Sequence, residues 1–291
     1  MNPNNTFEQY RYLLFSIAYR MLGSAMDAED MVQEAYLRYQ AVAHEQIDSP
    51  KAYLTTVITR LCLDHLKSAK VKRETYVGPW LPEPVLTESD AAKVASPAAI
   101  FSHYESISMA FLVLLESLTP VERAVFLLRE VFDYDYAEIA HIVNREEAAC
   151  RQLFSRARKH IADHQPRFQP APEVHDRLVN EFMQAIEVGD LNGLTQMLAD
   201  EVSWWSDGGG KVKAITRPVY GRDSVAKLLE GLIRRRPPGF MLEITELNGE
   251  TALLMRMDDN LFGVIFLEMN ERQITAIRAV LNPDKLAHIT A

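Results

Sequence analysis

Apolar positions recur at helical spacing through most of the first 165 residues, and alternation replaces that spacing only towards the C-terminus. Residues 7–22 read as an amphipathic helix that Gly23 ends. A second helix, 27–40, turns Met31, Val32, Ala35 and Tyr39 to one side and Asp27, Asp30, Gln33, Glu34 and Arg38 to the other. Ser49-Pro50 opens a third helix with Leu54, Val57, Ile58, Leu61 and Leu66 inside, running to about residue 70. The period then lapses. Residues 78–84, GPWLPEP, and the Ser, Asp and Ala positions after them read as an extended linker, and helical spacing resumes near Phe101.

The stretch 118–160 carries the sharpest local signals. Thr119 is an N-cap, Pro120 suits the first helical position and Glu122 closes a capping box. Asp135 and Glu138 repeat that start, and Ile139, Ala140 and Val143 give a short helix its buried stripe. Asn144 falls where the chain must turn sharply, and Asn tolerates the left-handed conformation. The helix beginning at Glu147 buries Cys150, Leu153, Phe154, Ala157 and Ile161, and shows Arg151, Gln152, Ser155, Arg156, Arg158 and Lys159 on its other face. This is the grammar of a helix-turn-helix whose second helix enters a major groove. Many basic surface helices touch nothing; two capped helices and a tight turn in front of this one set it apart.

Beyond Glu173 the pattern changes. Two helical stretches, 174–188 and 191–198, lead to strand-like VSWW at 202–205, a DGGGK loop at 207–211 and a helix over 224–235. Four strand-like runs follow, 241–247, 251–257, 262–269 and 274–280, with hairpin turns at Asn248-Gly249 and Asn270-Glu271. Helices first and strands later argue an α+β domain. Trp204 and Trp205 alternate along their strand, which sends one to the core and the other towards a pocket. Pro166, Pro170 and Pro172 mark a second linker, and no internal repeat is visible.

With 291 residues the chain has room for two or three domains. No apolar run approaches a membrane span and no signal peptide is visible, so the cytoplasm is the expected compartment. Cys62 and Cys150 lie on apolar helix faces, and His160 and His164 have no acidic or Cys ligand placed with them, so neither disulfide nor metal is expected. The net charge of −9 argues against a generic polyanion binder, but its distribution is uneven. Residues 51–73 hold six cations against one acid, net +5, and residues 145–160 hold five against two, net +3. Residues 8–48 hold seven acids against three arginines, net −4. Basic helices in an acidic body suit local DNA contact together with a basic protein partner.

Taken together, DAEDMVQEAYLRY, SPKAYLTTVITRLCLDHLKSAKVKRE and the helix-turn-helix segment resemble regions 2.2, 2.3–2.4 and 4 of an extracytoplasmic-function (ECF) sigma factor of RNA polymerase. The remainder is similar to a SnoaL-like domain, the cone shared with ketosteroid isomerases. WLPEP at 80–84, DGGGK at 207–211 and NPDKL at 282–286 resemble signatures of the ECF subgroup carrying that extension. The resemblance implies two all-α sigma domains followed by an α+β cone with a curved antiparallel sheet. It divides the chain into sigma region 2 (1–75), a linker (76–102), region 4 (103–165), a short linker (166–172) and the SnoaL-like domain (173–291).

It also implies partners: core RNA polymerase, through its β′ clamp helices and β flap, and promoter DNA. Asp27, Asp30, Gln33 and Glu34 would meet the polymerase; without the resemblance they read as a solvated acidic face favoured by the helix dipole. Lys51, Tyr53, Arg60, Lys67, Lys70, Lys72 and Arg73 would hold the minus-10 element, with the loop 43–49 at a flipped base. Core packing is the equal alternative for Tyr53. Arg151, Gln152 and Ser155 would face minus-35 bases, and Arg145, Arg156, Arg158 and Lys159 its phosphates.

No cofactor is implied. An isomerase or cyclase would need a buried base beside an oxyanion donor. Asp207, followed by three glycines, reads as shaping a loop, and no phosphate-binding spacing surrounds Gly208, Gly209 and Gly210. The expected role of Trp80, Leu81, Pro82, Glu83 and Pro84, of Asp207 to Lys211, and of Asn282, Pro283, Asp284, Lys285 and Leu286 is an interdomain latch, so the chain is expected not to be an enzyme. Two other readings stay open on the residues: a SnoaL-like enzyme fused to a DNA-binding region, and a plain helix-turn-helix regulator. Dependence on core polymerase separates the sigma factor from the regulator, and turnover of a small carbonyl compound would mark the enzyme.

Overall fold

The computed structural model describes residues 3–42, 47–86, 107–164 and 171–289. The chain forms two units, one of Met1–Thr75 with Phe111–Gln165, the other of Tyr76–Ala110 with Pro166–Ala291.

The first unit is helical. It contains α1 (Pro3–Leu22), α2 (Ala25–Gln40), α3 (Pro50–Glu74), most of α4 (Met109–Glu116), α5 (Pro120–Phe126), a π-helical turn (Leu127–Val131), α6 (Tyr136–Val143) and α7 (Glu147–His164). Gly23 takes φ 66° between the first two helices, and the Ser24 side chain caps α2 by accepting the Asp27 N–H at 3.1 Å. Both expected capping boxes form, at Thr119/Glu122 and Asp135/Glu138. Asn144 closes α6 in the left-handed region at φ 53°, ψ 58°. Leu14, Ile17, Leu54 and Ile58 are fully buried in the core. Polar contacts also tie the helices together. Arg123, 3% exposed, donates to the Met21 carbonyl and to Glu116, and burial lowers its pKa to about 10. The Thr55 and Tyr134 hydroxyls meet at 2.8 Å.

The second unit is α+β. Helices α8 (Pro172–Val188), α9 (Leu191–Met197), α10 (Arg222–Arg234) and the short α11 (Pro283–Leu286) accompany a six-stranded sheet. The strands are β1 (Leu198–Asp207), β2 (Val219–Tyr220), β3 (Phe240–Leu247), β4 (Glu250–Met257), β5 (Asn260–Met269) and β6 (Ile274–Val280), in the order β2-β1-β6-β5-β4-β3. The sheet is mixed, not purely antiparallel as expected. After β1 the chain crosses through α10 to the far edge, and the β3–β6 meander returns it with β6 parallel to β1.

Strand alternation gives the sheet two dissimilar faces. Trp204, Leu253, Met255, Ile265, Leu267 and Ile277 form one apolar core with Val179, Phe182, Val225 and Leu229 of the helices. The opposite face carries Trp205, Asp207, Glu268 and Arg278. There Arg278 pairs with Glu268 and lies 5.7 Å from the Trp205 ring centroid. Trp204 is thus the core tryptophan and Trp205 belongs to the polar face. The Asn248-Gly249 hairpin forms with both residues at positive φ (54° and 70°). A second tight turn, Asp258-Asp259, was not expected; both aspartates are left-handed, at 49° and 65°.

Candidate nucleic-acid interface and linker junction

Helix α7 follows the Asn144 turn, and Cys150, Ala157 and Ile161 anchor it in the core. That burial fixes its rotation. Arg145, just ahead of it, and Arg151, Gln152, Ser155, Arg156, Arg158 and Lys159 on it are all exposed. Arg151 pairs with Glu147 one turn back, and its guanidinium carbon lies 4.3 Å from the Tyr136 ring centroid. Arg156 stands 3.8 Å from Glu122. Cations thus line the face that a groove would meet, an arrangement suited to base edges at the centre and phosphates around them.

The residues expected at the minus-10 element sit on α3 in different circumstances. Lys51, exposed, lies 5.5 Å from the Tyr134 ring centroid. Lys67, also exposed, pairs with Asp64 at 2.7 Å. Tyr53 is half-buried, its ring centroid 6.2 Å from that of Tyr39. Arg60 donates to the carbonyls of Ile142 and His141 at 2.9 and 2.8 Å, capping the C-terminal end of α6. The side chains of Lys70, Lys72 and Arg73, and residues 43–46 of the loop, lie outside the described residues.

On α2, Asp30 and Gln33 are exposed, Asp27 and Glu34 half-buried. Asp27 is 3.6 Å from His65, and Glu34 pairs with Arg38 at 2.9 Å. Sequence reasoning passed over two neighbours. Met26 and Leu37 are 57% and 60% exposed, and with Asp30 and Gln33 they fall at i, i+4, i+7 and i+11 on one stripe. Apolar residues on the polar side of an amphipathic helix were the signal.

The second unit brings three sequence motifs together at the end of β1. Asp207 is fully buried. Its Oδ1 accepts from the Tyr76 hydroxyl at 2.5 Å and the Gly209 N–H at 3.1 Å, and its Oδ2 from the Leu81 N–H and Lys285 Nζ, both at 2.8 Å. Lys285, 5% exposed, also donates to the Leu81 carbonyl and lies 4.0 Å from the Trp80 ring centroid. Leu81, Pro82, Glu83 and Pro84 are all buried. Asn282 donates to the Tyr76 hydroxyl at 3.0 Å, Lys211 pairs with Asp284, and His288 meets the Pro84 carbonyl at 2.5 Å. Burial and the Asp207 hydrogen bond push the Tyr76 phenol well above its ordinary pKa. Gly209, at φ 58°, is required: a Cβ would stand 2.3 Å from the Asn282 amide nitrogen. Tyr76 and Glu250 are junction residues that carried no signal in sequence, and Asn248 was legible there only as a hairpin turn. Asn248 accepts the Val85 N–H at 3.0 Å and donates to the Ile107 carbonyl at 2.8 Å, and Glu250 accepts the Met109 N–H at 2.7 Å.

An exposed basic recognition helix beside a helical bundle with an acidic, partly apolar helix defines the class: a promoter-binding transcription factor with a fused α+β domain. The comparisons make it specific. Residues 6–71 match sigma-70 region 2 and residues 108–161 match sigma-70 region 4. The ECF RNA polymerase sigma factor SigJ of Mycobacterium tuberculosis is 38% identical over 289 residues, covering 96% of this chain and 91% of its own. The probable ECF RNA polymerase sigma factor SigI of the same species is 33% identical over 285 residues, covering 97% and 94%. The crystal structure of M. tuberculosis SigJ superposes with a TM-score of 0.76 at 35% identity over 97% of both chains. The chain belongs to the extracytoplasmic-function sigma factors of RNA polymerase.

Proposed function

We propose that this sigma factor divides its work among three helices of the first unit, under control of the second. Helix α2 docks on the β′ clamp helices through Asp27, Asp30, Gln33 and Glu34, with Met26 and Leu37 supplying apolar contact. The region 4 part, 103–165, engages the β flap. Helix α3 serves the minus-10 element and α7 the minus-35 element, Arg151, Gln152 and Ser155 reading bases. The observation that carries this reading is α7: its buried stripe leaves all six of its expected minus-35 residues, Arg151, Gln152, Ser155, Arg156, Arg158 and Lys159, exposed. Arg60 gives two of its five donors to the α6 carbonyls, so any DNA contact falls to the donors that remain.

The α+β domain acts as a regulator in cis, not as an enzyme. Its buried Asp207 is committed to the linker, and its other desolvated carboxyl, Glu250, accepts the Met109 N–H. The junction of WLPEP, DGGGK and NPDKL would set how far the two sigma domains separate. Among the described residues no helix is long and apolar enough to cross a membrane, and the expected place of work is the cytoplasm, with the polymerase and the chromosome.

The test is initiation in vitro with core RNA polymerase and the full chain. Asp30→Ala with Leu37→Ala should weaken core binding. Arg151→Ala should cost about 1–3 kcal/mol at one promoter base and relax preference there. Lys285→Met should change initiation without changing base preference. Core-independent promoter binding that supports no initiation would overturn the reading.

A further inference from the structure

Tyr136 opens α6 directly behind the Asp135 cap, and nothing in its sequence position marks it for DNA. In the structure its ring is a platform. The ring packs edge-on against Phe154, with centroids 6.0 Å apart at 74°, and Phe154 stacks on Phe126 at 6.1 Å. Phe126 is buried in the core of the unit. The ring is therefore held from beneath while two guanidiniums approach it, Arg151 at 4.3 Å and Arg129 at 5.2 Å from its centroid. Arg129 is tied elsewhere, donating to the Tyr134 carbonyl at 2.9 Å. Arg151 belongs to the recognition helix, where its side chain is 59% exposed.

A long, exposed arginine samples many rotamers, and a base edge accepts it only when the guanidinium plane is correctly turned. Two contacts restrict Arg151, the Glu147 carboxylate one turn back and the Tyr136 ring. They differ in what they occupy. Glu147 takes N–H donors, which a base would have to win back. The ring attracts the guanidinium's charge and takes none of its N–H donors. The ring can therefore keep its hold while the donors exchange Glu147 for a guanine or another acceptor edge.

We propose that Tyr136 is a positioning residue for minus-35 recognition, orienting Arg151 for base reading without itself contacting a base. The proposal rests on the reading that Arg151 faces a base. Losing one preorganised, rotamer-rich side chain should lower discrimination about 3- to 10-fold at the base that Arg151 reads.

The experiment uses the full chain with core RNA polymerase. Initiation is measured from promoters in which each minus-35 position is varied in turn. Tyr136→Leu should lose about 3- to 10-fold of the discrimination at the one position that Arg151→Ala also relaxes. Tyr136→Phe, which keeps the ring, should discriminate like the parent. The double variant Tyr136→Leu with Arg151→Ala should discriminate no worse than Arg151→Ala alone. If Tyr136→Leu does not fold, Tyr136→Met carries the same test. Full discrimination in Tyr136→Leu, beside a loss in Arg151→Ala, overturns the proposal and leaves the reading of Arg151 intact. A uniform fall at every promoter, ratios unchanged, shows packing alone and also overturns it. Unchanged discrimination in Arg151→Ala overturns both.

Discussion

Lys285→Met is the most informative single change in the α+β unit. It keeps the aliphatic stem and deletes the ammonium that joins Asp207 Oδ2, the Leu81 carbonyl and the Trp80 ring. Asp207 would stay buried with three neutral donors, the Tyr76 hydroxyl and the Leu81 and Gly209 N–H groups. Removing one side of a buried pair costs about 3–5 kcal/mol. The donors that remain place the expected loss near the lower end, about 3 kcal/mol. Asp207→Ala should cost a similar amount, since it takes the paired carboxylate away from a buried ammonium. The double variant removes both charges, so its cost should fall short of the sum of the singles by about 1–3 kcal/mol. The assay is built into the chain: its three tryptophans, Trp80, Trp204 and Trp205, all lie in this unit, so fluorescence in urea follows its unfolding. A Lys285→Met midpoint worth less than about 1 kcal/mol, or singles that simply add, would refute the reasoning.

Three further outcomes follow from the same geometry. The Glu250 carboxyl is desolvated at the Met109 N–H, with Glu268 and Arg278 the nearby charges, and its pKa is pushed up from 4.5 to about 8. The native state then holds a proton that the unfolded chain has released, so stability falls as pH rises across that window and levels beyond it. Glu250→Gln should gain on the parent between pH 6 and pH 9 in urea midpoints, and parallel pH profiles would contradict this. Gly231→Ala, in α10 with open space around the new methyl, should stabilise by about 0.5–1 kcal/mol, whereas Gly209→Ala should destabilise by about 2 kcal/mol through clash and left-handed strain. Thermal melts of the two variants should move in opposite directions. Arg60→Ala strips the α6 carbonyls of their cap, and amide exchange over 136–143 should quicken about 5- to 10-fold if that bond holds α6.

Much of the helical unit was legible because its signals are local. A capping box needs four adjacent residues, a left-handed turn needs one Asn, and helical rotation follows from a buried stripe. Thr119, Asp135, Asn144 and the faces of α7 could therefore be read directly from the chain. The α+β order and the Asn248-Gly249 hairpin were equally local. Tertiary structure decided what depends on residues distant in sequence. The parallel β1–β6 pairing depends on where a meander returns. Arg60 turns to α6 because the Ile142 carbonyl, 82 residues away, is there to accept it. Asp207, Leu81 and Lys285 were visible as separate motifs, but that one carboxylate serves both others is a fact of three-dimensional assembly. Tyr136 gave no sign of its place beneath Arg151, since an aromatic at the start of a helix reads the same whether it packs inward or carries a cation. The sequence alone determined the local elements and the chemistry they display. Only the folded chain determined which of those groups are already engaged with one another, because an ionic or hydrogen-bonded partner is chosen by distance in space, and spacing along the chain does not encode that distance.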